Sequence, residues 1–156
     1  MFETDRCCIR KTTYRDIPDI WALYSDARVW DYLGGKRGLV RRVQGVLSRV
    51  FPGKNCLCWT VRSKDTNDFL GDISLAPHHD GLYMKISYEF LSATWGMGYA
   101  SEAVGELIGH VFEGLGDERI IAETQAANAA SCTMLRRLGF YEMQRLIRFE
   151  TEQDTF

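Results

Sequence analysis

The chain has 156 residues, a net charge of −2, and 46% hydrophobic and 26% charged residues, which suits a single domain over 1–156 with a core of its own. That balance excludes a general affinity for nucleic acid or an anionic membrane surface, and no run is long and apolar enough to span a bilayer. The five cysteines, Cys7, Cys8, Cys56, Cys58 and Cys132, are odd in number and no apolar leader follows Met1, so we expect a reducing, cytoplasmic setting.

Taken in order, Arg6 to Lys11 reads as a first strand. Cys7 and Cys8 then point to opposite sheet faces, which argues against a cysteine metal site. Asp16 is expected to cap a helix carrying Ile17, Ile20, Trp21 and Tyr24 on one stripe and ending near Asp26. After a loop through Gly34, Gly35 and Lys36, a second helix is expected from about Gly38 to Phe51. Its apolar stripe is Leu39, Val40, Val43, Val46, Leu47 and Val50, with Arg41, Arg42, Gln44 and Arg49 opposite. Pro52-Gly53 stops it.

The period then changes from helical to alternating. Cys56–Arg62 and Phe69–Leu75 read as a hairpin pair, and Pro77–Gly81 as a turn holding His78 and His79; the pair is either metal ligands or acid/base groups or, as expected of histidines in a loop, solvated. A strand from Met84 to Leu91 follows, then a glycine loop and a long helix to about Glu113. Gly105 and Gly109 inside that helix imply close packing against a neighbour. Gly114-Leu115-Gly116 is expected to end it. Arg119–Thr124 is a further strand, Asn128 caps a helix over Ala129–Leu138, and Gly139 suits its left-handed exit. A last strand runs from Tyr141 to Glu150, before a polar, acidic tail. The order β-α-α-β-β-β-α-β-α-β means mixed α/β, one open sheet with helices on both faces.

The stretch Trp95-Gly96-Met97-Gly98-Tyr99-Ala100-Ser101 joins a strand to a helix N-terminus. Small residues let backbone approach a ligand, and the first helical N–H groups have no internal partner, so such a loop is a ready anion site. A tight turn needing glycine for geometry alone is the other reading. Between Tyr32 and Lys64 every charged residue is basic; this is either a solvated face or a positive rim that steers an acidic ligand.

Two stretches, WGMGYASEA at 95–103 and NAASCTMLRRLGF at 128–140, lie in an order of elements that resembles the GCN5-related N-acetyltransferases (GNAT), and most closely their RimJ/RimL-type branch. The resemblance runs from Arg10 to about Phe149. It implies a GNAT fold: a single mixed, mostly antiparallel sheet splayed at its centre, with helices on both faces. In the family's phosphate loop, Gly98 and Ala100 fill the last two fixed positions, while Trp95 stands where Gln or Arg is usual, as in the RimJ/RimL-like branch. The resemblance implies acetyl-CoA as co-substrate and no metal. Gly96, Met97, Gly98, Tyr99, Ala100 and Ser101 would hold the pyrophosphate; Phe90, Leu91 and Asn128 would hold the pantetheine arm.

Acyl transfer to an amine needs a proton acceptor, a donor for the thioester oxygen and an acid for the departing thiolate. Glu89 is the candidate base, with binding of a cationic substrate as the alternative. A backbone N–H near Leu91 is the candidate oxyanion donor. The family often has a tyrosine seven residues after the motif asparagine; Leu135 stands there. By resemblance to the branch, some of whose members use a serine near this position, Ser131 is the candidate acid, with water or Tyr141 as the alternatives. The acceptor is expected to be a primary amine, a protein N-terminus or a small molecule, entering near the first two helices and the Tyr32–Lys36 loop. Trp21, Tyr24, Trp30 and Tyr32 either line that entrance or fill the core. A homodimer is common in the family. The competing function is a non-catalytic acyl-CoA sensor or scaffold, favoured by the missing tyrosine. A dinucleotide fingerprint fails because Ser101 sits where a third glycine or alanine belongs.

Overall fold

A computed structural model of the chain describes residues 1–33, 38–115, 119–148 and 151–156. Eight strands form one sheet in the order β1-β2-β3-β4-β5-β6-β8-β7. They are β1 (Phe2–Glu3), β2 (Cys7–Lys11), β3 (Leu57–Ser63), β4 (Phe69–Pro77), β5 (Met84–Phe90), β6 (Ile120–Gln125), β7 (Gln144–Arg148) and β8 (Thr151–Thr155). The described helices are α1 (Ile17–Ser25), α2 (Ala27–Leu33), α3 (Leu39–Val50), α4 (Tyr99–Leu115) and α5 (Ala129–Arg137). All described strand pairs are antiparallel except β5 with β6.

The alternation of the strands builds two cores. On one face Ile9, Val61, Ile73, Ile86, Phe90 and Ala122 pack with Ala103, Val104, Leu107 and Leu135 of α4 and α5. On the other, Phe69 joins Ile20, Leu23, Tyr24, Val29, Trp30, Val46 and Val50 of α1, α2 and α3. Tyr24 and Trp30 are therefore core residues, and the Trp30 indole N–H donates to the Tyr24 carbonyl. Of the two alternatives for these aromatics, low exposure favours the core, although both also border a small cavity with Leu33, Arg41 and Gln44.

Several elements depart from the sequence reading. The capping job falls to Thr13, whose backbone N–H and hydroxyl bond the Asp16 carboxylate at the end of a 3₁₀ turn that leads into α1. Asp16 is fully buried and takes a bidentate pair from Arg10 at 2.5 and 2.9 Å. Helix α2 was not anticipated: Asp26 ends α1, accepts from the Arg28 N–H at 2.9 Å, and so starts a second helix at once. The acidic tail is a strand, β8, inserted between β6 and β7. Phe156 beyond it is buried, exchanging both backbone bonds with Ala122. Of the α3 stripe only Val46 and Val50 are buried; Leu39, Val40, Val43 and Leu47 face outward.

Three members of the basic run are spent in ion pairs. Arg62 pairs with Asp16 and Asp19, Lys64 with Glu3, and Arg49 with Asp72 and Glu89. Lys36 and Arg37, with Gly34, Gly35, Gly116, Phe149 and Glu150, lie outside the described residues.

Candidate active site

The glycine loop is shaped by two left-handed glycines, Gly96 at φ 77° and Gly98 at φ 83°, a region that L side chains rarely adopt. From outside, Arg6 braces the loop. Its guanidinium donates to the Met97 carbonyl at 2.9 Å, pairs with Glu102 at 2.6 Å and lies 4.7 Å over the Tyr99 ring. The first bond of α4 runs from the Glu102 N–H to the Gly98 carbonyl at 3.1 Å. The N–H groups of Tyr99, Ala100 and Ser101 come before that bond and stay free of helical partners. Trp95 acts as a wedge. Its indole N–H donates to the Phe90 carbonyl at 2.8 Å, with Arg28 5.0 Å over the ring and Tyr32 6.0 Å away.

Beside the loop the sheet opens. β5 and β6 pair only from Met84↔Ile120 to Ile86↔Ala122, then part. The gap leads into a cleft of about 850 Å³ lined by residues of α2, β5, the glycine loop, β6 and α5. Backbone groups of β5 alternate between its two neighbours. The Leu91 N–H donates to the Leu70 carbonyl at 2.9 Å, so it faces β4 and is spent. The expected oxyanion donor, a backbone N–H near Leu91, is therefore not that of Leu91 itself. By the same alternation the amides of Tyr88 and Phe90 face the gap.

Groups from both faces of the sheet reach this gap. On the α5 side the Tyr88 and Ser131 hydroxyls are 2.7 Å apart, and the Ser131 N–H donates to the Asn128 side-chain oxygen at 3.1 Å. Burial pushes the Tyr88 phenol up to about 12, against the lowering effect of its Ser131 bond. Leu135 is fully buried in the core.

On the α3 side Glu89 lies beside its cross-strand partner Asp72. Arg49 joins them: Nη2 to Glu89 at 2.5 Å, Nε to Asp72 at 3.0 Å, and Nη1 to the Ser74 hydroxyl at 2.7 Å. Burial pushes the Asp72 carboxyl well above the carboxylate range, with Arg49 opposing and Glu89 adding to the shift. Two carboxylates facing one guanidinium leave one excess negative charge, which disfavours the ionised form of the more buried partner, Asp72.

Residues 6–141 match the family model described as an acetyltransferase (GNAT) domain. The chain belongs to this family. It is an N-acetyltransferase, and the GNAT family works with acetyl-CoA and an amine acceptor. It is 29% identical over 149 residues to an uncharacterized N-acetyltransferase, YoaA, of Bacillus subtilis, covering 90% of this chain and 82% of the relative. A GNAT-family acetyltransferase structure from Bacillus anthracis superposes with a TM-score of 0.82 at 19% identity, over 98% of this chain and 94% of that one. Spermidine N-acetyltransferase from Vibrio cholerae, solved with CoA and spermine, gives 0.78 at 13% identity, over 96% and 93%. These likenesses to solved structures carry the fold.

In this GNAT domain the gap brings together Glu89, Phe90, Trp95, Gly96, Gly98, Ala100, Ser101, Asn128 and Ser131 of the sequence-derived set. Met97 and Tyr99 belong to the loop and its brace. Tyr32 lines the cleft, while Trp21 does not. Sequence reasoning missed Arg6, Arg49, Asp72 and Tyr88. For Tyr88 a signal existed: on a strand it faces opposite to Glu89, which puts it on the side of the second motif.

Proposed function

We propose that this GNAT domain, of RimJ/RimL type, moves the acetyl group of acetyl-CoA to a primary amine by direct attack in a ternary complex. The observation that carries the reading is the parting of β5 and β6 beyond Ile86 and Ala122, with the glycine loop at the mouth of the gap. The residues fit acetyl-CoA. Free helical amides at Tyr99, Ala100 and Ser101 suit a pyrophosphate, and the gap offers Tyr88 and Phe90 amides to a polar, extended arm. Bound there, acetyl-CoA supplies the thioester carbonyl and a thiolate leaving group.

The chain's own residues supply the rest. The Gly96–Ser101 backbone holds the phosphates, with Arg137 at the cleft wall adding charge. Asn128 orients the arm from the α5 side, and a Tyr88 or Phe90 amide meets the thioester oxygen. Tyr88 keeps its proton at neutral pH and, with Ser131, is the proton source for the thiolate. Glu89, held by Arg49, draws the ammonium form of the acceptor from the α2–α3 side and passes its proton to water. The sensor reading rested on the missing tyrosine; the Tyr88 hydroxyl beside Ser131 removes that support.

No described helix is long and apolar enough to cross a membrane, and five cysteines outside any disulfide accord with a cytoplasmic location. The outward apolar residues of α3 suit a homodimer contact, which light scattering after size exclusion tests. Thiol release from acetyl-CoA against N-terminal peptides, polyamines, aminoglycosides and amino acids tests the reaction. Amine-dependent release is expected; tight acetyl-CoA binding without release on any amine would overturn it.

A further inference from the structure

The turn that joins β4 to β5 holds two histidines that the reaction does not use, and the sequence reading expects them in solvent, with metal ligation or acid/base work as the alternatives. In the structure His78 is buried, with 7% exposure. Its backbone closes the turn, N–H to the Tyr83 carbonyl at 2.8 Å, while Gly81 donates back at 2.9 Å. The Asp80 carboxylate fixes the tip through the Leu82 N–H at 2.9 Å. The turn sets the His78 ring against β6, where Nε2 lies 3.4 Å from Glu123 Oε1. The His79 ring sits beside it, 3.9 Å centroid to centroid.

We propose that His78, His79 and Glu123 form a site for a first-row divalent cation, zinc being the best match, at the end of the cleft where β5 and β6 are still paired. One ligand atom from each residue lies within 4.8 Å of the others. Zinc bonds to nitrogen and oxygen of about 2.0–2.1 Å give a tetrahedron whose edges are about 3.3–3.4 Å, and the His78–Glu123 separation is one such edge.

The surroundings match what metal ligands require. A ligating histidine commonly sets its other ring nitrogen against a carboxylate, a backbone carbonyl or water, and a ligating carboxylate has a partner for its second oxygen. Asp80 Oδ2 lies 2.8 Å from His78 Nδ1, close enough to pair in charge though not aligned as a hydrogen bond, so the buried Nδ1 has no hydrogen-bond partner among the described residues, and Lys85 Nζ lies 3.3 Å from Glu123 Oε2. Three protein ligands leave the fourth position for water or an incoming group, as in open zinc sites. Glu123 lines the cleft, so that position borders it. The bound ion ties the turn to β6 and withdraws Glu123 from any ammonium acceptor.

A proton could also satisfy His78, which would then be an imidazolium between Asp80 and Glu123. That arrangement does not need the His79 ring as a ligand, and this difference makes the test. Chelator-treated protein is titrated with Zn²⁺ by calorimetry, with Mg²⁺ as the hard-cation control, alongside His79→Ala, Asp80→Asn and Cys56→Ser. Folding of each is checked by circular dichroism; His79 and Asp80 are exposed enough to change without opening the core.

We expect one Zn²⁺ per chain and no Mg²⁺ binding. Asp80→Asn should weaken binding about 10–100-fold, His79→Ala should weaken it further, and Cys56→Ser should leave it unchanged. Co²⁺ in place of Zn²⁺ should show no thiolate charge-transfer band. Absence of saturable Zn²⁺ binding, unchanged binding in His79→Ala, or a thiolate band would each overturn the site. Because the readout is metal binding, failure here leaves the acetyl-transfer reading standing.

Discussion

Tyr88 and Ser131 share one hydrogen bond at 2.7 Å, so removing both should not cost twice. Tyr88→Phe and Ser131→Ala are each expected to lower kcat about 100-fold, the low end for a lost general acid, with the acetyl-CoA KM little changed. The double variant should fall well short of the product of the two losses. Equal kcat in all three variants and the parent would show that water protonates the thiolate. Ser131 and Asn128 were legible because the second motif fixes them on a helix start. Tyr88 was not, since strand periodicity gives a face and not the partner reached across a gap. Arg49 was misread for a related reason. It occupies the polar stripe of an amphipathic helix, and only the fold reveals that Asp72 and Glu89 wait beneath it. Arg49→Met should destabilise by about 3–5 kcal/mol, the cost of stranding a buried charge. Adding Asp72→Asn should recover part of the loss in thermal melts, and no recovery would mean that the two are not coupled.

At the scale of elements, the meeting of β4 and β5 beside the cleft depends on a glycine whose role has nothing to do with turn geometry. A Cβ on Gly71 would lie 2.3 Å from the Glu89 carbonyl oxygen and 2.8 Å from Phe90 Cα. Backbone cannot swing aside as a side chain can, so β5 must move. Gly71→Ala is expected to cost about 1–3 kcal/mol, as overpacking does, and to weaken acetyl-CoA binding by displacing the Phe90 amide. Gly109→Ala is the counterpart, because nothing lies within 4 Å of its added Cβ. That change should stabilise by about 0.4–1 kcal/mol through the unfolded chain. Denaturant midpoints that move the same way in both would refute the distinction. The sequence suggested close packing for both helical glycines. Only Gly105 has it, 3.3 Å from Leu138, because helix periodicity says which way a residue points and not how near the neighbour comes. The long elements with clean periods, α3, α4 and β3 to β5, were legible to within a residue or two. Helix α2 was hidden because Asp26 reads as a stop when it is also a start.

Across the whole molecule, the tail shows where local pattern runs out. Thr151 to Thr155 has neither alternation nor apolar content, and it is a strand only because β6 and β7 stand on either side of it. Such pairing spans a distance in sequence that no local rule reads. Charge ties distant parts of the chain together as well, and this makes stability depend on pH in a definite direction. Three carboxyls lie below their usual range although burial pushes each of them up. Arg10 and Thr13 lower Asp16, Ser92 lowers Asp26, and Thr4 and Arg6 lower Glu102. The unfolded chain binds protons at these sites first, near pH 4. Their contribution is therefore complete above that value and is lost as pH falls through the depressed folded values. Asp72 runs the other way. Its raised pKa gives stability below about pH 4 that is lost as pH rises toward the folded value, so it offsets part of the acid loss. Urea midpoints measured from pH 7 down to pH 2 should fall below about pH 4.5, and the fall should be shallower in Asp16→Asn. If that variant shows the parent's slope with only a lower plateau, Asp16 is not among the groups that drive acid unfolding.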